Sequence, residues 1–294
     1  MYLIDDYIEA GSVAEAAGLL AEKPQRQLIA GGTDLLIKMR DGVLGNVELV
    51  SIRNIEPLRL IRQDEAKTIS IGPLVTFNQL VGDQLILNNI PILAEAAMTV
   101  GGPQVREMAT IGGNICNGVP SADSAPALFA HNAMLRLQGK DSERVAPIQD
   151  FYLGPGRVDL RPGELLTEIM ITADNFSNFG SCYIKFAPRK AMDLAIIGVA
   201  AACRLVGNTA FDQVRISLGV AGPTPLRCSP AEDYAQGKTV SESLIAEIGR
   251  VALQSAKARS SSRASQEYRE HLIEELTQRA LRAAVTRAGG VVNA

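Results

Sequence analysis

Apolar positions come in short bursts separated by glycine and polar turns, and their period changes along the chain. Ser12-Val13-Ala14-Glu15 has the spacing of a capping box. It predicts a short helix carrying Leu19, Leu20 and Ala21, closed by Pro24 before a strand over residues 27–30. Beyond Gly31-Gly32, the apolar Leu35, Leu36, Ile37 and Met39 predict a second short helix, followed by a strand over 48–52. Apolar runs at 58–61 and 68–71 flank the polar segment 62–67, the pattern of an antiparallel hairpin with a long loop. Helical patterns at 78–81, 92–100 and 124–130 and a strand at 134–138 complete a first mixed unit by about Phe151.

The segment Ala173-Asp174-Asn175-Phe176-Ser177-Asn178-Phe179-Gly180 is polar and turn-rich between two strand-like runs, which places a domain boundary there and divides the chain into 1–176 and 177–294. After it the order changes. Strands over 181–186, 195–205 and 213–220 precede helices over 243–258 and 265–287, with Gly289 as a stop and Arg259-Ser260-Ser261-Ser262-Arg263 as a surface loop between the helices. Strands followed by helices describe a layered domain, and the fold class of the whole is α+β.

Composition narrows the chemistry. The 294 residues carry 29 Lys+Arg against 32 Asp+Glu, so no basic face points to nucleic acid. The start, Met1-Tyr2-Leu3-Ile4-Asp5-Asp6, has no leader pattern, and no apolar run reaches membrane-spanning length, so a cytoplasmic location without a membrane partner is expected. Cys116, Cys182, Cys203 and Cys228 are scattered, without zinc or iron-sulfur spacing, and read as buried thiols. His131 and His271 are too far apart for a metal site and read as packing or surface residues.

Two diglycine motifs remain, Ala30-Gly31-Gly32-Thr33-Asp34 and Thr110-Ile111-Gly112-Gly113-Asn114. Glycine permits positive φ and close approach of a ligand to the backbone, so each motif can form a nest of N–H groups around phosphate. Neither has the spacing of a Rossmann fingerprint or a P-loop. A ligand held by main chain and hydroxyls suits a dinucleotide that brings its own chemistry, and no side chain is assigned as catalytic.

Together with Ser121-Ala122-Asp123, Leu218-Gly219-Val220-Ala221-Gly222-Pro223-Thr224-Pro225 and Arg263-Ala264-Ser265-Gln266-Glu267-Tyr268-Arg269, these motifs closely resemble the FAD-binding (medium) subunits of molybdenum hydroxylases of the bacterial xanthine dehydrogenase type. The resemblance implies a two-part FAD-binding domain of the vanillyl-alcohol-oxidase type and a small α+β carboxy-terminal domain. It implies FAD contacts at Leu28, Ile29, Ala30, Gly31, Gly32, Thr33, Asp34 and Leu35 in the first loop, and at Thr110, Gly112, Gly113, Asn114 and Asp123 in the second region. Val100, Leu165 and Lys185 resemble positions near the flavin ring or sugar.

Asp123 also has the position of a helix cap, and Lys185 that of a solvated strand residue. Arg189-Lys190-Ala191-Met192-Asp193 resembles a loop close to the flavin, though an exposed loop ion pair explains its charges equally. The family's molybdenum cofactor and [2Fe-2S] clusters are expected on partner subunits, with NAD as the usual electron acceptor and a purine or other N-heterocycle as substrate. A stand-alone flavin oxidoreductase of the same superfamily, or an assembly subunit without cofactor, are the alternatives.

Overall fold

The computed structural model describes residues 3–293; Met1 and Tyr2, the first residues of the segment read for a leader pattern, and Ala294 lie outside the described residues. Three larger sheets organise the described residues, beside a two-stranded ladder of Tyr152–Gly154 with Arg157–Val158. The first is parallel, with Val47–Ser51 between Ile4–Glu9 and Gln27–Ile29. Helix Val13–Glu22 connects two of these strands and buries Ala16, Ala17 and Leu20. Its start follows the sequence closely: Ser12 Oγ accepts from Glu15 N at 3.1 Å, while the Glu15 carboxylate reaches back to Gly11 N at 2.8 Å.

The second sheet is antiparallel and five-stranded, in the order Ile61–Gln63, Ile69–Ile71, Leu165–Ile171, Met134–Gln138, Glu143–Pro147. Short helices between Phe77 and Ala130 pack with it around Ile69, Ile71, Phe77, Leu80, Ile92 and Phe129. The expected hairpin is present but begins later, because Pro57 and its neighbours form a 3-10 turn over Glu56–Arg59. These two sheets form the two parts of the amino-terminal unit.

The third sheet is an antiparallel meander, Gly180–Phe186, Ile197–Val206, Ala210–Gly219 and Leu226–Arg227, backed by helices Glu242–Ala252 and Gln266–Arg287. The helix expected over 243–258 ends earlier, passing into a 3-10 turn at Leu253–Ser255. Gly289, at φ +81°, follows the last helix as expected. The Arg287 guanidinium meets Glu95 at 2.6 Å, and Glu95 also accepts from Tyr183 N, which ties this layer to helix Pro91–Met98. Among the described residues no helix is long and apolar enough to cross a membrane.

Candidate functional site

A cavity of about 940 Å³ opens where the three layers meet. The loop after Gln27–Ile29 forms one wall, and its local chemistry is unusual. The backbone N–H groups of Gly31, Gly32, Thr33, Asp34 and Leu35 donate to no protein acceptor among the described residues. Residues 31–33 and 35 are half-buried and Asp34 is exposed at the start of helix Leu35–Arg40, whose first N–H groups have no partner within the helix, so these successive free amides beside a cavity can receive an acceptor-rich group such as a diphosphate. Glycine is required here for two reasons. Gly32 has φ +76°, and a Cβ on Gly31 would stand 1.8 Å from the Met108 carbonyl oxygen.

The second diglycine motif is built differently from the nest expected of it. Ile111–Cys116 is a helix, with Thr110 as N-cap accepting from Gly113 N at 3.1 Å. Ile111 N and Gly112 N donate to the carbonyls of Val75 and Pro73. Its first amides are therefore already paired within the protein. Gly112 serves close packing, since a Cβ there would lie 2.4 Å from Pro73 Cβ. What this motif offers the cavity is side-chain polarity and a smooth glycine surface, with Asn114 fixed by the Ser124 hydroxyl at 2.7 Å. Lys38, on the helix after the first loop, reaches Asn117 Oδ1 at 2.7 Å and joins the two walls.

The third group is a buried polar chain. Asp123 accepts from Tyr183 Oη and from Lys185 Nζ, both at 2.8 Å, and Lys185 also donates to the Thr99 carbonyl at 3.0 Å. Tyr183 and Lys185 are two residues apart on Gly180–Phe186 and so share a face. Opposite Lys185 stands Gly198, where a Cβ would come within 2.7 Å of the Tyr183 hydroxyl, so the missing side chain makes the slot for it. Burial pushes the Asp123 carboxyl up, opposed by the Lys185 ammonium and the Tyr183 hydroxyl, while burial and the Asp123 charge together push the Tyr183 phenol up.

Fifteen of the sixteen expected site residues line this one cavity: Leu28, Ala30, Gly31, Gly32, Thr33, Asp34, Leu35, Val100, Thr110, Gly112, Gly113, Asn114, Asp123, Leu165 and Lys185. Ile29 does not, because its side chain packs with Met39, Val47 and Leu49 on the other side of the parallel sheet. Asp123 does stand at the N-cap position of helix Ser124–Ala130, but its side chain makes no capping bond, and Lys185 is not solvated. Tyr183, Lys38 and Arg263 were not anticipated. The signal for Tyr183 lay in its spacing from Lys185, masked by a strand whose Gly180, Ser181, Cys182 and Tyr183 are all buried.

Arg189 pairs with Asp193 at 3.0 Å in an exposed loop at the cavity edge. Cys116 also lines the cavity, and burial pushes its thiol up to about 12, so it stays protonated. His131 is buried with Nδ1 2.7 Å from the Asn175 carbonyl, whereas His271 is exposed.

The unpaired amide run, the extended cavity and the buried cation at its wall together fit a flavin dinucleotide, which defines a flavoprotein of the two-part class. Residues 3–173 match the FAD binding domain in molybdopterin dehydrogenase, and residues 182–284 the CO dehydrogenase flavoprotein C-terminal domain. The chain is 40% identical over 290 residues to the xanthine dehydrogenase FAD-binding subunit of Escherichia coli O157:H7, covering 99% of both chains. It is 32% identical to the carbon monoxide dehydrogenase medium chain of Hydrogenophaga pseudoflava, covering 96% of this chain and 97% of that one.

The solved structure of carbon monoxide dehydrogenase from Hydrogenophaga pseudoflava, in a form that lacks the Mo-pyranopterin moiety of its molybdenum cofactor, superposes with a TM-score of 0.93 at 30% identity, over 98% of this chain and 99% of that one. The chain belongs to the FAD-binding medium subunits of molybdenum hydroxylases, and is an oxidoreductase subunit.

Proposed function

We propose that this subunit is the electron outlet of its complex, taking electrons that originate at a molybdenum centre on one partner subunit, pass through [2Fe-2S] clusters on another, and leave through FAD to NAD. The observation that carries the reading is the unpaired amide run of residues 31–35 beside the cavity. FAD, when bound, accepts electrons singly and delivers two of them with one proton as a hydride to NAD, a second proton going to solvent.

The chain's own residues bind and orient. Amides 31–35 would hold the pyrophosphate, Thr110 and Asn114 would supply hydrogen bonds, and Val100 and Leu165 would form apolar walls that exclude water. Lys185, held by Asp123 and the Thr99 carbonyl, would set its ammonium at the cavity wall, where it would offset the negative charge that reduction adds to a bound flavin. The four cysteines lie apart as protonated thiols, which is why the clusters are assigned to a partner. The 40% identity to a xanthine dehydrogenase subunit favours a purine, or another N-heterocycle, as the substrate of the complex.

The test uses the complex purified with its partners. Anaerobic xanthine should bleach the flavin, and NAD should then restore its colour with formation of NADH. Bleaching without recovery on NAD would remove NAD from the account; an unbleached flavin beside xanthine-reduced clusters would remove the flavin from the path.

A further inference from the structure

One group of charges in the described structure has no counterpart. Arg269, in the first turns of helix Gln266–Arg287, is only 4% exposed. Its Nη1 donates to the Ile196 carbonyl and its Nη2 to Ser261 Oγ at 2.9 Å, but Nε is buried without an acceptor. Ser261, the acceptor of Arg269, sits on the loop 259–263 and bridges to Ala264, which puts Arg259 and Arg263 beside the buried guanidinium, and their charges add to burial in lowering its pKa. No carboxylate among the described residues pairs with any of the three.

Neighbouring acids do not fill the gap. Glu270 accepts from Gln266, Glu267 is exposed without an ion pair among the described residues, and Asp193 is held by Arg189. A guanidinium taken out of water without a counter-ion is costly, and two further cations raise the cost. Such a cluster is suited to take up an anion. Arg263 carries it to the cavity, whose lining it joins. Besides Lys185, the cavity thus has two anion-seeking features of different kinds: neutral amides at residues 31–35, and a cationic cluster contributed by the carboxy-terminal layer.

We propose that Arg259 and Arg263, with Arg269 beneath them as the positioning residue, bind the pyrophosphate of a pyridine dinucleotide at a second-ligand site on the edge of the flavin cavity. The inference rests on the reading of NAD as electron acceptor and adds the residues that hold it. Arg259 and Arg263 are exposed and can be replaced without disturbing a core; Arg269 is buried and is left intact in the test.

The experiment titrates the FAD-loaded full chain with NADH under anaerobic conditions and follows flavin bleaching, comparing wild type with R263A and R259A/R263A, at two salt concentrations. R263A should raise the apparent Kd for NADH about tenfold, the loss of a charge-assisted contact, and R259A/R263A should raise it further and flatten its salt dependence. Flavin content should stay at the wild-type level. Unchanged NADH affinity in both variants would overturn the assignment while leaving NAD as acceptor. Loss of flavin would give the cluster to FAD itself and overturn the second site. A wild-type chain bleached by dithionite but not by NADH would remove the acceptor reading, and the dinucleotide assignment with it.

Discussion

At the residue scale, Asp123 and Lys185 are the pair on which the cavity wall depends. Their side chains are 8% and 9% exposed, so each is the other's main compensation for lost solvent. Lys185→Met leaves Asp123 buried with only the Tyr183 hydroxyl, and should lower stability by about 3 kcal/mol in urea unfolding at neutral pH. Because burial raises the Asp123 pKa, protonation relieves that loss, so the deficit should shrink as pH falls, and K185M/D123N should recover most of it.

His131 gives the opposite sign. Burial lowers its pKa from 6.5 to about 4, and the charges of Arg215 and Arg227 act in the same direction. Between these values the unfolded chain binds a proton that the folded chain refuses, so stability falls as pH drops from 6.5 to 4, by about 3 kcal/mol in all. H131Q should flatten that part of the pH–stability curve, and an unchanged slope in H131Q would assign the effect elsewhere.

At the element scale, the second diglycine motif separates the roles of its two glycines. A Cβ at Gly112 meets Pro73 Cβ at 2.4 Å and the Pro73 carbonyl at 2.7 Å, whereas at Gly113 it finds only Thr110 Oγ at 3.1 Å. Alanine gains about 1 kcal/mol over glycine in a helix, less than a clash with backbone costs. G112A should therefore destabilise by about 1–3 kcal/mol while G113A changes stability little, as read by thermal unfolding of both variants.

The same element marks where the sequence was legible and where it was not. The helix start announced by Ser12 is present, because a side chain and its target amide lie three residues apart in the chain, and Ser265 caps its helix in the same way. Thr110 sends the same signal, but Gly112-Gly113 reads as a turn, and only the distant Pro73 and Val75 carbonyls explain why a helix begins there. Strand Ile4–Glu9 was missed for another reason. It lies at the edge of its sheet with five of its six residues exposed, so no buried face writes a period of two into it.

For the whole molecule, the cavity belongs to no single layer. Its amides come from the parallel sheet's loop, its apolar wall from the second part, its cation from the meander and its arginine edge from the loop between the helices that back the meander. The residues that touch it lie between positions 27 and 263, so sequence could name the two motifs but not the contact between them. Packing supplies that contact: Tyr183, Ala200 and Ala202 of the meander belong to the same buried cluster as Phe77 and Phe129. A cavity assembled in this way suits a ligand with two unlike ends, a charged diphosphate and an apolar ring, and the two ends can be separated experimentally.

The most direct measurement compares the affinity of the flavin-free full chain for FAD and for riboflavin, which keeps the ring and lacks the phosphates. If amides 31–35 grip the diphosphate, riboflavin should bind at least about 100-fold more weakly, the loss of several charge-assisted hydrogen bonds. Equal affinities for the two would contradict the account.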